Sequence, residues 1–322
     1  MTEAAELHTP VLRDRCIELM APALARTGAL AIDGTLGMGG HSEALLKALP
    51  EALVVGIDRD EQAIALASAR LAWAGDRFKA LHATYDNIEA AAQLAGASKA
   101  DSILLDLGVS SLQIDDAERG FSYAQDAPLD MRMNAQDEVT AASILATADE
   151  AELTRILRVY GEERFAKRIA ESIVARRARE PFERSSQLVD VVRACIPAAS
   201  RQPGSHPAKR TFQALRIAVN RELEVLEAAL AAAMDHLAVG GRLVVMSYHS
   251  LEDRIVKHAF AERTQITAPP GLPVVPASAM PSMRLVTRGA EKASEQEIEL
   301  NPRAKSVRLR AIQRVKAGEV TS

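Results

Sequence analysis

The sequence predicts an α/β fold in which a doubly wound parallel sheet is interrupted by an all-helical insert. Three observations carry that reading. Short apolar runs alternate with helical segments over the first third of the chain, repeating at roughly 25 residues, the spacing of βαβ units. More than 130 residues then separate Leu107 from the next run of that kind, Arg242–Ser247, several times what one crossover requires. The residues in between carry helical rather than strand periodicity.

The candidate strands are Leu30–Asp33, Leu53–Asp58, Phe78–His82 and Ser102–Leu107. The runs Val54-Val55-Gly56-Ile57 and Ile103-Leu104-Leu105 are apolar throughout, as expected of parallel strands covered on both faces. In the insert, Thr147 followed by Glu150 has the capping-box pattern, Leu153, Ile156, Leu157 and Tyr160 mark one helix face, and Gly161 fits the stop. A second helix sets Phe165, Ile169 and Ile173 at spacings of four and runs out before Pro181. A third, opened by Ser185 or Ser186, turns Leu188, Val191, Val192 and Cys195 inward and ends at Pro197. Beyond a Pro/Gly/Ser-rich joint at 203–207 comes one long helix. Its apolar positions run from Phe212 through Leu215, Val219, Leu223, Leu226, Leu230 and Met234 to Leu237, and Gly240-Gly241 closes it. Because it leads into the Arg242 strand, it is assigned to the sheet domain. The stretch 266–283 reads as a loop, and Arg284–Thr287 with Ser306–Arg314 as a closing antiparallel pair at the edge. The expected domains are 1–111 with 208–322 for the sheet and 112–207 for the insert; no internal repeat is seen.

Composition narrows the class. The chain has 322 residues, 48% hydrophobic and 25% charged, ordinary for a globular protein large enough for two domains. No apolar run approaches the ~20 residues of a membrane span. The amino terminus lacks the basic-then-apolar pattern of a secretory signal. Two well-separated cysteines, Cys16 and Cys195, suit small core positions in a reducing compartment, so a cytoplasmic location is expected, and they give no metal-ligand spacing. The net charge of −4 leaves any nucleic-acid argument to local patches.

The most specific stretch follows the first strand: Asp33-Gly34-Thr35-Leu36-Gly37-Met38-Gly39-Gly40-His41. It is not a phosphate-binding P-loop, for no lysine follows the glycines, and Ser42 stands where the dinucleotide fingerprint needs its third glycine. Glycines let the backbone approach a ligand that carries little phosphate. Asp58, ending the second strand, can accept from both ribose hydroxyls of a nucleoside, or else simply cap the helix that follows. Glycines after strand one and a carboxylate after strand two suit adenosine in an extended pose. Nicotinamide dinucleotide and S-adenosylmethionine both answer that description, and the failed fingerprint favours the second. At the same rim lie Asp106, Ser110 and Gln113 after strand four, and the polar run Ser247–Asp253 after strand five. There, Ser250 and Asp253 could be a helix cap, and His249 a base, a substrate contact or a structural residue.

Local charge is less neutral than the total. Arg155 to Arg184 holds nine Lys/Arg against five Asp/Glu, with Arg164, Lys167, Arg168, Arg176 and Arg177 mostly off the apolar face. Lys209-Arg210 and the tail Arg303, Lys305, Arg308, Arg310, Arg314 and Lys316 add more. Such patches hold phosphate backbones, unless they are ordinary solvated helix faces.

Nine separated motifs make the chain resemble the bacterial 16S ribosomal RNA cytosine-N4 methyltransferase family along nearly its whole length. In order they are His8-Thr-Pro-Val-Leu12, Asp33-Gly-Thr-Leu-Gly-Met-Gly-Gly-His-Ser42, Asp106-Leu-Gly-Val-Ser-Ser111, Asp115-Asp-Ala-Glu-Arg-Gly-Phe-Ser122 and Pro128-Leu-Asp-Met-Arg-Met133. Tyr160-Gly-Glu-Glu-Arg-Phe-Ala-Lys-Arg-Ile169, Lys209-Arg-Thr-Phe-Gln-Ala-Leu-Arg216, Ser247-Tyr-His-Ser-Leu-Glu-Asp-Arg254 and Asn301-Pro-Arg-Ala-Lys305 complete them. The resemblance implies a Rossmann-like class I methyltransferase sheet with a helical substrate-recognition insert and S-adenosylmethionine as donor. It implies a cytosine in the decoding region of 16S rRNA as acceptor, met in the small subunit or a late assembly intermediate.

Matching positions carry over as cofactor contacts: Gly39, Gly40, His41, Asp58, Asp106 and Gln113, with Tyr85, where the family usually has phenylalanine, near the adenine. Leu112 stands where the family often has proline. Arg164, Lys167, Arg168, Lys209, Arg210 and His249 are the expected RNA contacts, and Phe121 and Tyr123 could hold a base drawn from its stack or pack in the core. The Asp-Pro-Pro-Tyr motif of many amino-methyltransferases is replaced by Asp106-Leu107-Gly108. Asp106, or a carbonyl within 107–110, is therefore the expected acceptor for the target amine. Rival readings are a methyltransferase of the same fold acting on another RNA or a small-molecule amine, a nicotinamide oxidoreductase, and a non-catalytic assembly factor.

Overall fold

The computed structural model describes residues 10–110, 113–114, 116–200, 206–266, 276 and 279–316. The chain divides into two compact units, Met1–Gly108 with Glu224–Ser322, and Val109–Leu223.

The first unit is built on strands β1 (Leu30–Asp33), β2 (Leu53–Asp58), β3 (Phe78–His82), β4 (Ala100–Asp106), β5 (Leu237–Ser247), β6 (Met283–Leu285) and β7 (Arg308–Arg314). Their order in the sheet is β3-β2-β1-β4-β5-β7-β6. The first five are parallel, and β7 runs antiparallel to both β5 and β6. Successive residues alternate between two apolar layers, because strand side chains point to opposite faces with period two. Val55, Ile57, Ile103, Leu105 and Val245 join the core on one face, with Ile88, Leu226, Leu230 and Phe260. Val54, Leu104, Val244 and Met246 join the other, with Cys16, Met20, Leu45 and Leu46. Burial of both faces is why these strands read as unbroken apolar runs. The helices in the first segment of this unit are α1 (Arg13–Met20), α2 (Gly40–Ala48), α3 (Glu61–Leu71) and α4 (Ile88–Leu94).

The helical unit contains α5 (Ala141–Thr147), α6 (Glu150–Gly161), α7 (Ala166–Arg177), α8 (Ser185–Cys195) and α9 (Lys209–Asn220). They enclose one core that includes Leu153, Ile156, Leu157, Ile169, Ile173, Leu188, Val192, Phe212, Leu215 and Val219. Both cysteines are buried and unpaired, and burial pushes the Cys16 thiol well above its ordinary pKa. Among the described residues no helix is long and apolar enough to cross a membrane.

Four sequence expectations need correction. The cap of α6 is Asp149, whose carboxylate accepts from the Glu152 amide at 2.8 Å, while Thr147 ends the preceding helix. Its left-handed end residue is Glu162 (φ 48°), not Gly161. Gly161 is glycine because a Cβ there would stand 2.7 Å from the Arg210 carbonyl oxygen, where α9 crosses close by.

The single long helix is two. Arg221 adopts φ 50° and ends α9, and α10 (Glu222–His236) starts beside it. The break is braced on both sides. Arg216 meets Glu222 across it at 2.8 and 2.9 Å, and the buried Asn220 side chain accepts from the Met133 amide and donates to the Met131 and Arg216 carbonyls. Phe212, Leu215 and Val219 thus belong to the helical core, and Leu226, Leu230 and Met234 to the sheet. The units accordingly part between Leu223 and Glu224 rather than at residue 208. Finally, Gly240-Gly241 lies inside β5, which begins directly after α10 and carries a register shift against β4 near Ala100. The last helix before the closing strands, α11 (Ser250–Thr264), is followed by a short α12 (Glu295–Leu300). Residues 201–205, which include Pro203, Gly204 and Ser205 of the 203–207 joint, most of the stretch 267–278, and His8, Thr9, Ser111, Leu112 and Asp115 lie outside the described residues.

Candidate active site at the carboxyl ends of the central strands

Parallel packing sets the ends of β1, β2, β4 and β5 along one rim, where an open α/β sheet places its chemistry. Asp33 closes β1 fully buried, accepting from Ser42 Oγ at 2.7 Å and from the Thr35 amide at 3.3 Å. Burial raises its pKa, partly offset by the nearby His41 and by those donors. It anchors the glycine loop from inside rather than facing a ligand.

The glycines divide by cause. A Cβ on Gly34 would stand 2.5 Å from Leu105 Cδ2, on Gly40 2.5 Å from Pro10 Cγ, and on Gly39 3.2 Å from Ala67 Cβ, so three of them admit the chain's own neighbours. Gly37 is different. A Cβ there would meet nothing nearer than the Thr35 carbonyl oxygen at 4.0 Å, its φ is 50°, and its amide donates to Asp58 Oδ2 at 2.8 Å.

Asp58 therefore ties loop and strand together, for Oδ1 also accepts from the Asp60 amide at 2.9 Å. Desolvation dominates its titration and pushes the pKa up to about 6, against the lowering effect of both amides. Tyr85 follows β3, its Cβ 3.3 Å from where a side chain on Gly34 would begin.

The end of β4 carries the densest chemistry. Asp106 Oδ1 accepts from the Tyr248 hydroxyl at 2.7 Å, and its backbone amide donates to Thr35 Oγ1 at 2.6 Å. Oδ2 lies 3.4 Å from Nε2 of His41, a ring only 7% exposed whose Nε2 forms no hydrogen bond among the described residues. The Asp106 side chain itself is 24% exposed, so it is held from below and open from above. A carboxylate that can accept, an orphaned imidazole nitrogen and a second carboxylate, Asp58, two strands over across β1 offer polar groups to a small, hydrogen-bonding ligand.

A model of the MraW methylase family matches residues 5–315. The chain belongs to that family. It is 60% identical over 314 residues to "Ribosomal RNA small subunit methyltransferase H" of Beutenbergia cavernae, covering 98% of this chain and 94% of that protein. The protein of the same name from Saccharopolyspora erythraea is 59% identical over 315 residues, covering 97% and 95%. That from Thermobifida fusca is 55% identical over 312, covering 97% and 94%.

In this MraW-family chain, Gly39, Gly40, His41, Asp58, Tyr85 and Asp106 all lie in the sheet unit. Gln113 lies in the helical unit, its Oε1 accepting from the Ser110 amide at 3.1 Å and its own amide donating to Ser110 Oγ at 3.3 Å. Arg164, Lys167, Arg168 and Lys209 are exposed there, Lys167 within 3.8 Å of Glu171, while Arg210 Nη1 donates to the Glu162 carbonyl at 3.3 Å. His249 is the N-cap of α11: its ring accepts from the Glu252 amide at 3.4 Å and Nε2 stands 3.2 Å from Glu252 Oε1. Ser250 is thus the first helical residue, and Asp253 is held by Arg308 and Arg310. Phe121 and Tyr123 pack against the helical core, Tyr123 stacked on His206 with centroids 4.7 Å apart.

Two groups of the site went unassigned in the sequence reading. Thr35 and Ser42 look like loop filler until β1 and β4 are side by side. Tyr248 sat inside a polar run already singled out, but no local pattern reveals that its hydroxyl reaches Asp106 on the neighbouring strand.

Proposed function

We propose that this protein transfers a methyl group from S-adenosylmethionine to the exocyclic N4 of a cytosine in the decoding region of 16S rRNA. The observation that carries the proposal is the family match over nearly the whole chain, joined to relatives named for small-subunit rRNA methylation. The residues present fit the cofactor: the orphaned His41 Nε2 offers a polar atom, and Asp58 keeps acceptor capacity beyond its two amide donors.

When bound, the cofactor supplies a methyl group on a sulfonium, whose thioether leaves neutral and needs no general acid. The burden on the protein is therefore the nucleophile. The amine of cytosine is weak because its lone pair is delocalised into the ring. Asp106 accepts an N–H from it, which localises the pair on nitrogen and aims it along the line of displacement. With the cofactor bound, its methyl group would pass from sulfur to N4 as the neutral thioether leaves, and Asp106 would take the N4 proton and release it to solvent. Asp58 accepts from the ribose hydroxyls, and Tyr85 offers its ring to the adenine. Arg164, Lys167, Arg168, Lys209 and Arg210 bind RNA phosphates, with the affinity loss in salt that such contacts bring. We place the reaction on the small subunit or a late assembly intermediate in the cytoplasm.

Asp58 gives the binding step a pH signature. Hydroxyl donors favour the ionised carboxylate, whose pKa in the free protein is about 6. The Kd for S-adenosylmethionine is expected to be flat above that value and to rise below it, approaching tenfold per pH unit. In the free protein the linkage has the opposite sense. Because the folded pKa is raised, the stability this group contributes is present below its unfolded value and is lost as pH rises through about 6. Calorimetric titration from pH 5 to 8 checks the first and thermal unfolding of the free protein across pH 4 to 7 the second, and Asp58→Asn should abolish both slopes.

The reading as a whole is tested by incubating the protein with labelled S-adenosylmethionine and small subunits that lack the modification. Label is expected in 16S rRNA. Firm cofactor binding with no label in RNA would move the substrate elsewhere.

A further inference from the structure

The carboxylate assigned to the target amine is not free to choose its own orientation. Tyr248 is the first residue beyond β5, which pairs with β4 so that Met246 lies beside Asp106. Its ring lies against Gly108, where even an added Cβ would be 3.8 Å from Cδ2, and its hydroxyl meets Oδ1 at 2.7 Å. Burial, and then the Asp106 charge, hold the phenol well above its ordinary pKa, so it is a donor throughout the working range. The Asp106 amide is held separately by Thr35 Oγ1. Oδ1 is thereby committed, and Oδ2, which among the described residues has His41 Nε2 beside it at 3.4 Å, is the oxygen with capacity to spare.

We propose that Tyr248 is a positioning residue for methyl transfer, fixing the Asp106 carboxylate through Oδ1 so that Oδ2 is presented to the incoming amine. Tyr248 touches neither substrate nor cofactor in this account. It acts through Asp106, and the inference rests on the reading of Asp106 given above. A hydrogen bond to a charged group is strong enough that its loss lets the carboxylate rotate away for much of the time.

The test is Tyr248→Phe, which keeps the ring and deletes the donor. Turnover is counted per cofactor-binding site, measured by calorimetry, so a partly folded preparation still yields a value. We expect kcat to fall roughly 10- to 100-fold. The Kd for S-adenosylmethionine and the KM for small subunits should stay within about twofold. In the double variant with Asp106→Asn, the Tyr248→Phe loss should disappear, because the group it positions is already altered. A kcat within twofold of the parent, a loss confined to cofactor Kd, or full additivity in the double variant would overturn the inference. Failure of the underlying reading looks different: the parent would yield no N4-methylcytidine, or Asp106→Asn alone would turn over normally.

Discussion

Asp106→Asn is expected to lower kcat by about 10²–10³-fold, the usual cost of removing a preorganised group from a reacting centre. The substitution is isosteric, so the fold should survive. It fails chemically because an amide has one acceptor where the carboxylate has two. If its oxygen faces the Tyr248 hydroxyl, as Oδ1 does at 2.7 Å, the NH₂ faces the target amine, donor against donor. If the amide flips, the clash moves to Tyr248. Single-turnover measurement at saturating S-adenosylmethionine separates this from weaker cofactor binding. Near-normal turnover would remove Asp106 from the chemistry.

Gly120→Ala should cost roughly 2–5 kcal/mol in the helical unit, summing a left-handed non-glycine residue and overpacking. Gly120 has φ 72°, and a Cβ there would stand 2.1 Å from the Pro128 carbonyl oxygen and 3.0 Å from the Asp130 amide. Both are backbone atoms in a segment tied down by Met131 N donating to Arg119 O at 3.0 Å and by Arg119 Nη2 donating to the Met133 carbonyl at 2.8 Å. No side chain can swing aside to make room. Gly96 supplies the control: its φ is 74° with nothing within 4 Å, so Gly96→Ala should cost only about 1 kcal/mol. Paired urea titrations of the full chain check the difference. Equal midpoints for the two variants would mean that the 117–130 turn opens more readily than its contacts imply.

The parallel sheet was legible in the sequence because its strands are covered on both faces, which leaves uninterrupted apolar runs in Val54–Ile57 and Ile103–Leu105. The helix break at Arg221 was not. A positive φ at a non-glycine residue leaves no mark in composition, and the apolar period runs through the break unchanged because each half has a core of its own to face. The site was half legible. Asp58 and Asp106 stand at strand ends, a position readable from local pattern, whereas the bond from Tyr248 needs the β4–β5 pairing to exist. The glycine loop was read as bare for a ligand's sake, yet Gly34, Gly39 and Gly40 are bare for Leu105, Ala67 and Pro10.

Charge counting misled in a similar way. Arg177 Nη1 donates to the Leu145 and Ala148 carbonyls at the end of α5, Arg176 Nη1 donates to the Gln187 carbonyl, and Arg314 is 4% exposed. A sequence shows that an arginine is present, but not whether its guanidinium is already spent on helix ends.

The central claim is the acceptor atom, and nucleoside analysis addresses it most directly. 16S rRNA from undermodified small subunits, methylated in vitro with isotopically labelled S-adenosylmethionine, is digested to nucleosides and resolved by chromatography and mass spectrometry. The account predicts one labelled product, N4-methylcytidine, lost in Asp106→Asn and reduced in Tyr248→Phe. Label in a ring-carbon or ring-nitrogen methylated nucleoside, or in any base other than cytosine, would contradict it.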